Sequence, residues 1–209
     1  INPLSAMKRF SLVASSRLAF SPSPWIASLF GLALLLLVGL APVQGQTVFV
    51  DDDNCPNTGS GTSGDPYCEI QTAINNANAG DVIDVAAGTY PEEVNITEEV
   101  TLNGPNAGTS PNDASIPRNP NIARVTEAIV EPTSGAAAFH IGADDITIDG
   151  FTLDGDFDND GTADISFGIN NFDLDAGSFG QYEATTNFTV TNNIVRDFDA
   201  FGIFVCNGD

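Results

Sequence analysis

The chain has 209 residues, 42% of them hydrophobic, and 28 acidic residues against six basic ones give a net charge of −22. Every acid lies after Gly45, where Arg118, Arg124 and Arg196 are the remaining bases and lysine is absent, so 28 acids and three arginines leave −25 there. Such a charge argues against nucleic acid and anionic membrane as partners. It suits divalent cations, or a salty medium that screens the self-repulsion.

Residues 1–45 read as a secretory signal with its true start at Met7. Lys8, Arg9 and Arg17 supply a basic region, 26–40 an apolar run, and Val43-Gln44-Gly45 a small-residue cleavage site. The alternative is a membrane anchor, but the 15 residues of 26–40 fall short of the ~20 a spanning helix needs, and Pro42 follows. Ile1 is not a start residue and no finishing cap follows the apolar run before Cys206, so the expectation is the N-terminal part of a longer protein.

Residues 46–81 are expected to form an N-terminal cap. Thr47 to Val50 is a β-branched and aromatic run that predicts a first strand. Asp51, Asp52 and Asp53 follow, as a loop entrance or a cation site. Cys55 and Cys68 bracket a loop rich in Gly, Ser and Thr. In an exported chain they are expected to form a disulfide, which leaves Cys206 without an evident partner. Ile70, Ala73, Ile74 and Ala77 recur at i, i+3, i+4 and i+7, which predicts a helix over 70–79 ended by Gly80.

After Gly80 the period changes from 3.6 to 2, and residues 82–209 are expected to be solenoid coils. Ile83 and Val85, Val94 and Ile96, and Val100 and Leu102 alternate with polar neighbours. Gly88-Thr89-Tyr90-Pro91 and Asn103-Gly104 read as turns. Four prolines within 105–124 make that stretch an excursion from one coil. Strand character returns at 128–130 and 137–141. Val100-Thr101-Leu102-Asn103-Gly104, Ile146-Thr147-Ile148-Asp149-Gly150 and Phe188-Thr189-Val190-Thr191-Asn192 then share one pattern. Its last position takes the residue types that accept positive φ most readily. The spacings of 46 and 42 residues fit two coils, or one coil with an insertion. Phe167-Gly168-Ile169 and Phe201-Gly202-Ile203 form a second repeated element.

The run from Pro66 to Ile96, PYCEIQTAINNANAGDVIDVAAGTYPEEVNI, resembles the opening segment of secreted right-handed parallel β-helix proteins of the pectin-lyase-like superfamily. The resemblance covers about 48–104 and is generic beyond it. It implies an all-β parallel β-helix with an N-terminal capping α-helix. It does not imply one activity, because that fold hosts lyases, hydrolases, adhesins and proteins without catalysis.

The sharpest chemical motif is Asp156-Phe157-Asp158-Asn159-Asp160-Gly161-Thr162-Ala163-Asp164, which is similar to the calcium loops of EF-hand-like and integrin-type repeats. Alternate residues aim oxygens at one point and the sixth-position glycine allows a sharp turn. The expected Ca²⁺ ligands are Asp156, Asp158 and Asp160, the Thr162 carbonyl, and Asp164 directly or through water. Phe167 stands where the EF-hand has a bidentate Glu. The plainer reading is an acidic turn in an acidic protein.

Other constellations are weaker. Lyase chemistry on polyuronates needs a base and cationic groups, and Arg196 is the sole arginine on a predicted repeat strand. Hydrolysis of neutral sugars needs two carboxylates, and Asp144-Asp145, Asp173 with Asp175, and Asp197 with Asp199 all offer pairs, none of which stands out. His140, the single histidine, reads as a surface residue. Asn95-Ile96-Thr97 and Asn187-Phe188-Thr189 match the N-glycosylation pattern, by chance if they lie in strand ladders. These readings lead to a secreted module, non-catalytic in this stretch, structural or binding polysaccharide or cell-surface glycan, with a calcium loop. The alternative is the N-terminal part of a polysaccharide lyase or glycoside hydrolase.

Overall fold

A computed structural model describes residues 45–112, 123–171 and 185–205. The expected signal segment up to residue 44, Arg118, the pair Asp173 and Asp175, and Cys206 lie outside the described residues. Strand β1 (Thr47–Val50) is followed by a single 3-10 turn (Asp52–Asn54) and helix α1 (Ile70–Asn76). Twelve short strands then follow in threes. The first coil holds β2 (Asp81–Val85), β3 (Gly88–Tyr90) and β4 (Val94–Ile96). The second holds β5 (Val100–Asn103), β6 (Ala128–Val130) and β7 (Ala137–Ile141). The third holds β8 (Thr147–Asp149), β9 (Thr152–Asp154) and β10 (Phe167–Asn170). The fourth holds β11 (Thr189–Thr191), β12 (Ile194–Arg196) and β13 (Phe201–Phe204).

Every strand pairs in parallel with its counterpart in the adjacent coil. This gives three sheets, ordered β1-β2-β5-β8-β11, β3-β6-β9-β12 and β4-β7-β10-β13. The architecture is a β-helix-like solenoid. Its interior is built from columns of like residues. Ile83 sits beside Leu102, Leu102 beside Ile148, and Ile148 beside Val190. Tyr90, Val130, Leu153 and Val195 form a second column, and Val94, Phe139, Ile169 and Ile203 a third. Period-2 alternation is what allows this, since one residue in two then points at the same axis in every coil. The two Phe-Gly-Ile elements also align, Phe167 on Phe201 and Ile169 on Ile203.

The registers resolve the repeat length. Ile83 and Leu102, 19 positions apart, mark a bare coil. The spacings of 46 and 42 are therefore single coils carrying insertions, not pairs of coils. The excursion 105–124 is pinned at its base by the buried Asn106, whose Oδ1 accepts from the Val125 N–H (2.8 Å) while its Nδ2 donates to the Val125 carbonyl (3.0 Å). The Arg124 guanidinium donates to the Glu127 carboxylate (2.7 Å) and the Asn192 carbonyl (2.8 Å).

Five expectations are corrected. The helix ends at Asn76, not at 79, because Ala77 is already extended and Asp81 Oδ2 captures the Asn78 N–H (2.8 Å). Gly80, at φ +87°, serves the turn into β2 and not the helix end. Gly88 to Tyr90 is strand, not turn, because pairing with β6 overrides its glycine. Gly104 does not have positive φ, unlike Gly150 (+84°) and Asn192 (+55°). It is glycine because a Cβ there would collide with the Gly150 carbonyl of the next coil. Asn187, at φ +57°, lies in the turn before β11 and not in a ladder.

Helix α1 covers the first coil with Ile70, Ala73 and Ile74, all fully buried. Its N-terminus has no cap from Glu69. Instead, Glu92, in the turn between β3 and β4, accepts from the Ile70 N–H (2.8 Å) and the Gln71 N–H (2.9 Å). The adjacent Glu93 reaches to the next coil, accepting from Ala136 and Ala137 (3.2 and 3.3 Å). One Glu-Glu pair thus ties helix, first coil and second coil together. Cys55 and Cys68 form the disulfide, with Cα atoms 5.0 Å apart. Among the described residues no helix is long and apolar enough to cross a bilayer.

Candidate functional site

Polar chemistry concentrates on the outer side of β6, β9 and β12, where the third coil extrudes its loop. Asp154 lies beside Arg196 in register, and Glu131, just after Val130, continues the row on the neighbouring coil. Arg196 Nη2 meets Asp154 Oδ2 at 2.5 Å; the Asp154 side chain is 4% exposed and that of Arg196 51%. Burial pushes the Glu131 carboxyl above its ordinary range, the Asp154 charge adds to the push, and Arg196 opposes it. Strands in one sheet lie about 4.8 Å apart, so these groups share one local field. An arginine committed to a carboxylate is a poor candidate for a lyase base.

The acidic loop leaves this row at once. Its base is closed by Gly155, whose carbonyl accepts from the Asp164 N–H (2.7 Å) and the Ile165 N–H (3.2 Å). A Cβ at Gly155 would strike the Asp197 carbonyl, so this position admits only glycine. Inside the loop, the Asp156 carboxylate accepts from Asp160 (3.2 Å) and Gly161 (2.9 Å). Asp158 Oδ1 also accepts from the Asp160 N–H (3.1 Å). Left-handed backbone at Asn159 (φ +55°) and Gly161 (φ +85°) makes the reversal. The buried Ile165 then anchors the return to the core.

Asp156, Asp158 and Asp164 each bring one carboxylate oxygen within 4.8 Å of the others. A Ca²⁺ ion with oxygens at 2.3–2.6 Å spans about 5 Å across its coordination sphere, so the three fit one ion. Asp160 Oδ1 instead accepts from the Thr162 N–H (2.8 Å), and the gathered set does not include it. The strongest single influence on Asp158, the Asp160 N–H, lowers its pKa. Desolvation and the charges of Asp160, Asp164 and Asp156 together outweigh that and raise it. Without a counter-charge these carboxylates oppose one another.

The remaining sequence candidates are dispersed. Asp144 is occupied by the Thr186 N–H and hydroxyl, and Asp145 occupies a left-handed turn position. Asp197 lies 3.9 Å from Arg196 Nε, at the edge of the same cluster. Half-buried His140 has Nδ1 2.6 Å from Oδ1 of the buried Asn170, its neighbour on β10. Asp51 caps the 3-10 turn through the Asp53 N–H (3.1 Å), as a loop entrance would. Sequence reasoning missed Glu131 and Asp154. Leu153-Asp154-Gly155 carries the outward-acid pattern, but nothing local announces that Glu131 lies one coil away. No family model, curated protein or solved structure matches the chain.

Proposed function

We propose that the chain is a secreted right-handed parallel β-helix of the pectin-lyase-like type, acting as a non-catalytic module that binds polysaccharide or cell-surface glycan. The carrying observation is the Asp154–Arg196 pair, which commits the one arginine on the described repeat strands to a carboxylate of its own chain. The disulfide supports an oxidising compartment, and three sheets of stacked parallel strands offer an extended face of the kind a polymer can lie along. In this reading Asp156, Asp158 and Asp164 hold Ca²⁺, with Asp160 and the Thr162 carbonyl recruited as ligands when the ion arrives. The ion stiffens the loop and takes no part in turnover.

A second reading, a glycoside hydrolase, is favoured by one observation. Glu131, pushed toward its protonated form, stands next to the ion-paired Asp154, and a raised carboxyl beside a second carboxylate is the equipment of acid catalysis on a glycosidic bond. Incubation of the mature protein with pectate, alginate and neutral glucans separates the two. The module reading expects no turnover of any of them. Turnover that Glu131→Gln abolishes would replace it with the hydrolase.

A further inference from the structure

A pocket of about 410 Å³ lies at the other end of the described chain, between β1, the disulfide loop and the end of α1. Its size falls within the range of small-molecule sites. Half-buried Val48, Phe49 and Tyr67 supply its apolar surface, and Thr62, Ser63, Asn76 and Asn78 supply hydroxyls and amides. Asp81 is the one charged side chain lining it, and its two oxygens are taken by the backbone N–H groups of Gln46 (2.7 Å) and Asn78 (2.8 Å). The pocket therefore offers an anion no cationic partner, inside a strongly acidic chain. What remains is two half-buried aromatic side chains among hydroxyls and amides, a lining that suits the apolar C–H groups and the hydroxyls of a pyranose ring.

The walls are held in place before any ligand arrives. Phe49 donates its N–H to the Gly61 carbonyl (3.0 Å) and accepts from Tyr67 (2.8 Å), so the loop is laced to the β1 edge. Gly61, at φ +75°, packs directly under the Tyr67 ring, and any Cβ there would collide with it. The disulfide closes the loop at its far end. A preformed wall loses little entropy on binding, which raises affinity for a small, weakly interacting ligand.

We propose that this pocket binds an uncharged, hydroxyl-rich sugar unit. The inference rests on the glycan-binding reading above and gives that reading an address.

Calorimetry on the mature full-length chain with cellohexaose, laminarihexaose, mannohexaose and hexagalacturonate tests it. The expected result is binding of at least one neutral hexaose, weakened at least tenfold in Ser63→Trp, which fills the pocket from an exposed rim position. Thr47→Trp, exposed on the opposite wall, is the second blocking variant should the first misfold. Hexagalacturonate is expected not to bind. Neutral-sugar binding unchanged in both blocked variants overturns the pocket and leaves the glycan-binding reading standing. Hexagalacturonate binding that the variants remove overturns the uncharged class, and binding of none of the four overturns the proposal. Turnover of any probe counts against the non-catalytic reading alone.

Discussion

The cap with the first coil and the third coil with its loop use the same residue type in opposite ways. In the cap, carboxylates meet donors: Asp81 accepts from Gln46 and Asn78, Glu92 from the N-terminus of α1, and Glu93 from the next coil. In the third coil, the carboxylates of Asp156, Asp158 and Asp164 gather at one point, and Asp154, ion-paired with Arg196, lies beside Glu131 of the second coil. A disulfide holds the first region's long loop, whereas the second region's loop is closed by hydrogen bonds and anchored by Ile165. Acidic composition is thus two things in this chain. In one region it is architecture, and in the other it is unspent charge that a cation would neutralise.

The largest effect expected is on the cap. Replacing Cys55 and Cys68 by serine should lower stability by about 3 kcal/mol in urea unfolding, the loop-closure contribution of a bridge of this span. Calcium binding should be unchanged, because the two regions share no ligand. Next comes Arg196→Met, which leaves the nearly buried Asp154 without its partner. Loss of a fully buried pair costs several kcal/mol, but Arg196 is half exposed and the expected loss is about 2 kcal/mol. Glu92→Ala should cost about 1 kcal/mol as a lost helix cap, and Glu92→Gln less, since one acceptor oxygen remains.

The pH dependence sharpens the contrast. Burial makes the largest contribution at Asp81 and raises its pKa, but the Asn78 and Gln46 hydrogen bonds together outweigh it and lower the value. Its stabilising contribution is therefore present above the unfolded value of about 3.9 and is lost as pH falls through the folded one. The destabilisation by Asp81→Asn, about 1–2 kcal/mol at neutral pH, should shrink below about pH 4. Burial raises the Glu92 pKa against the pull of its two N–H donors. Its sign is opposite: stability rises as pH falls through the raised folded value toward the unfolded ~4.3. Equal pH responses of the Asp81→Asn and Glu92→Gln variants would contradict the assignment.

The sequence made the coils legible because parallel stacking repeats one residue choice at one place. Leu102, Ile148 and Val190 were recognisable as a column, and so were the two Phe-Gly-Ile elements. The helix, the disulfide and the acidic motif Asp156 to Asp164 carry local signals and were legible too. What sequence could not disclose were contacts between coils. Glu92 capping α1 from 22 positions away, Glu131 beside Asp154, and Gly104 beneath the Gly150 carbonyl all depend on register across a coil, which insertions of unequal length conceal. The strand β3 was hidden for the same reason, since Gly88 and Pro91 speak for a turn until β6 is placed next to them.

The measurement that bears most directly on this division of roles is an NMR titration of Asp158, in EDTA and in 10 mM Ca²⁺, with calorimetry alongside. In EDTA the Asp158 carboxyl should titrate above its ordinary range, as its crowded neighbours require. In Ca²⁺ it should fall below that range, with a dissociation constant near the ~10⁻⁴ to 10⁻³ M of extracellular modules. Asp158→Ala with Asp160→Ala should remove the heat of binding. An Asp158 titration indifferent to Ca²⁺, or binding unchanged in that double variant, would contradict the account.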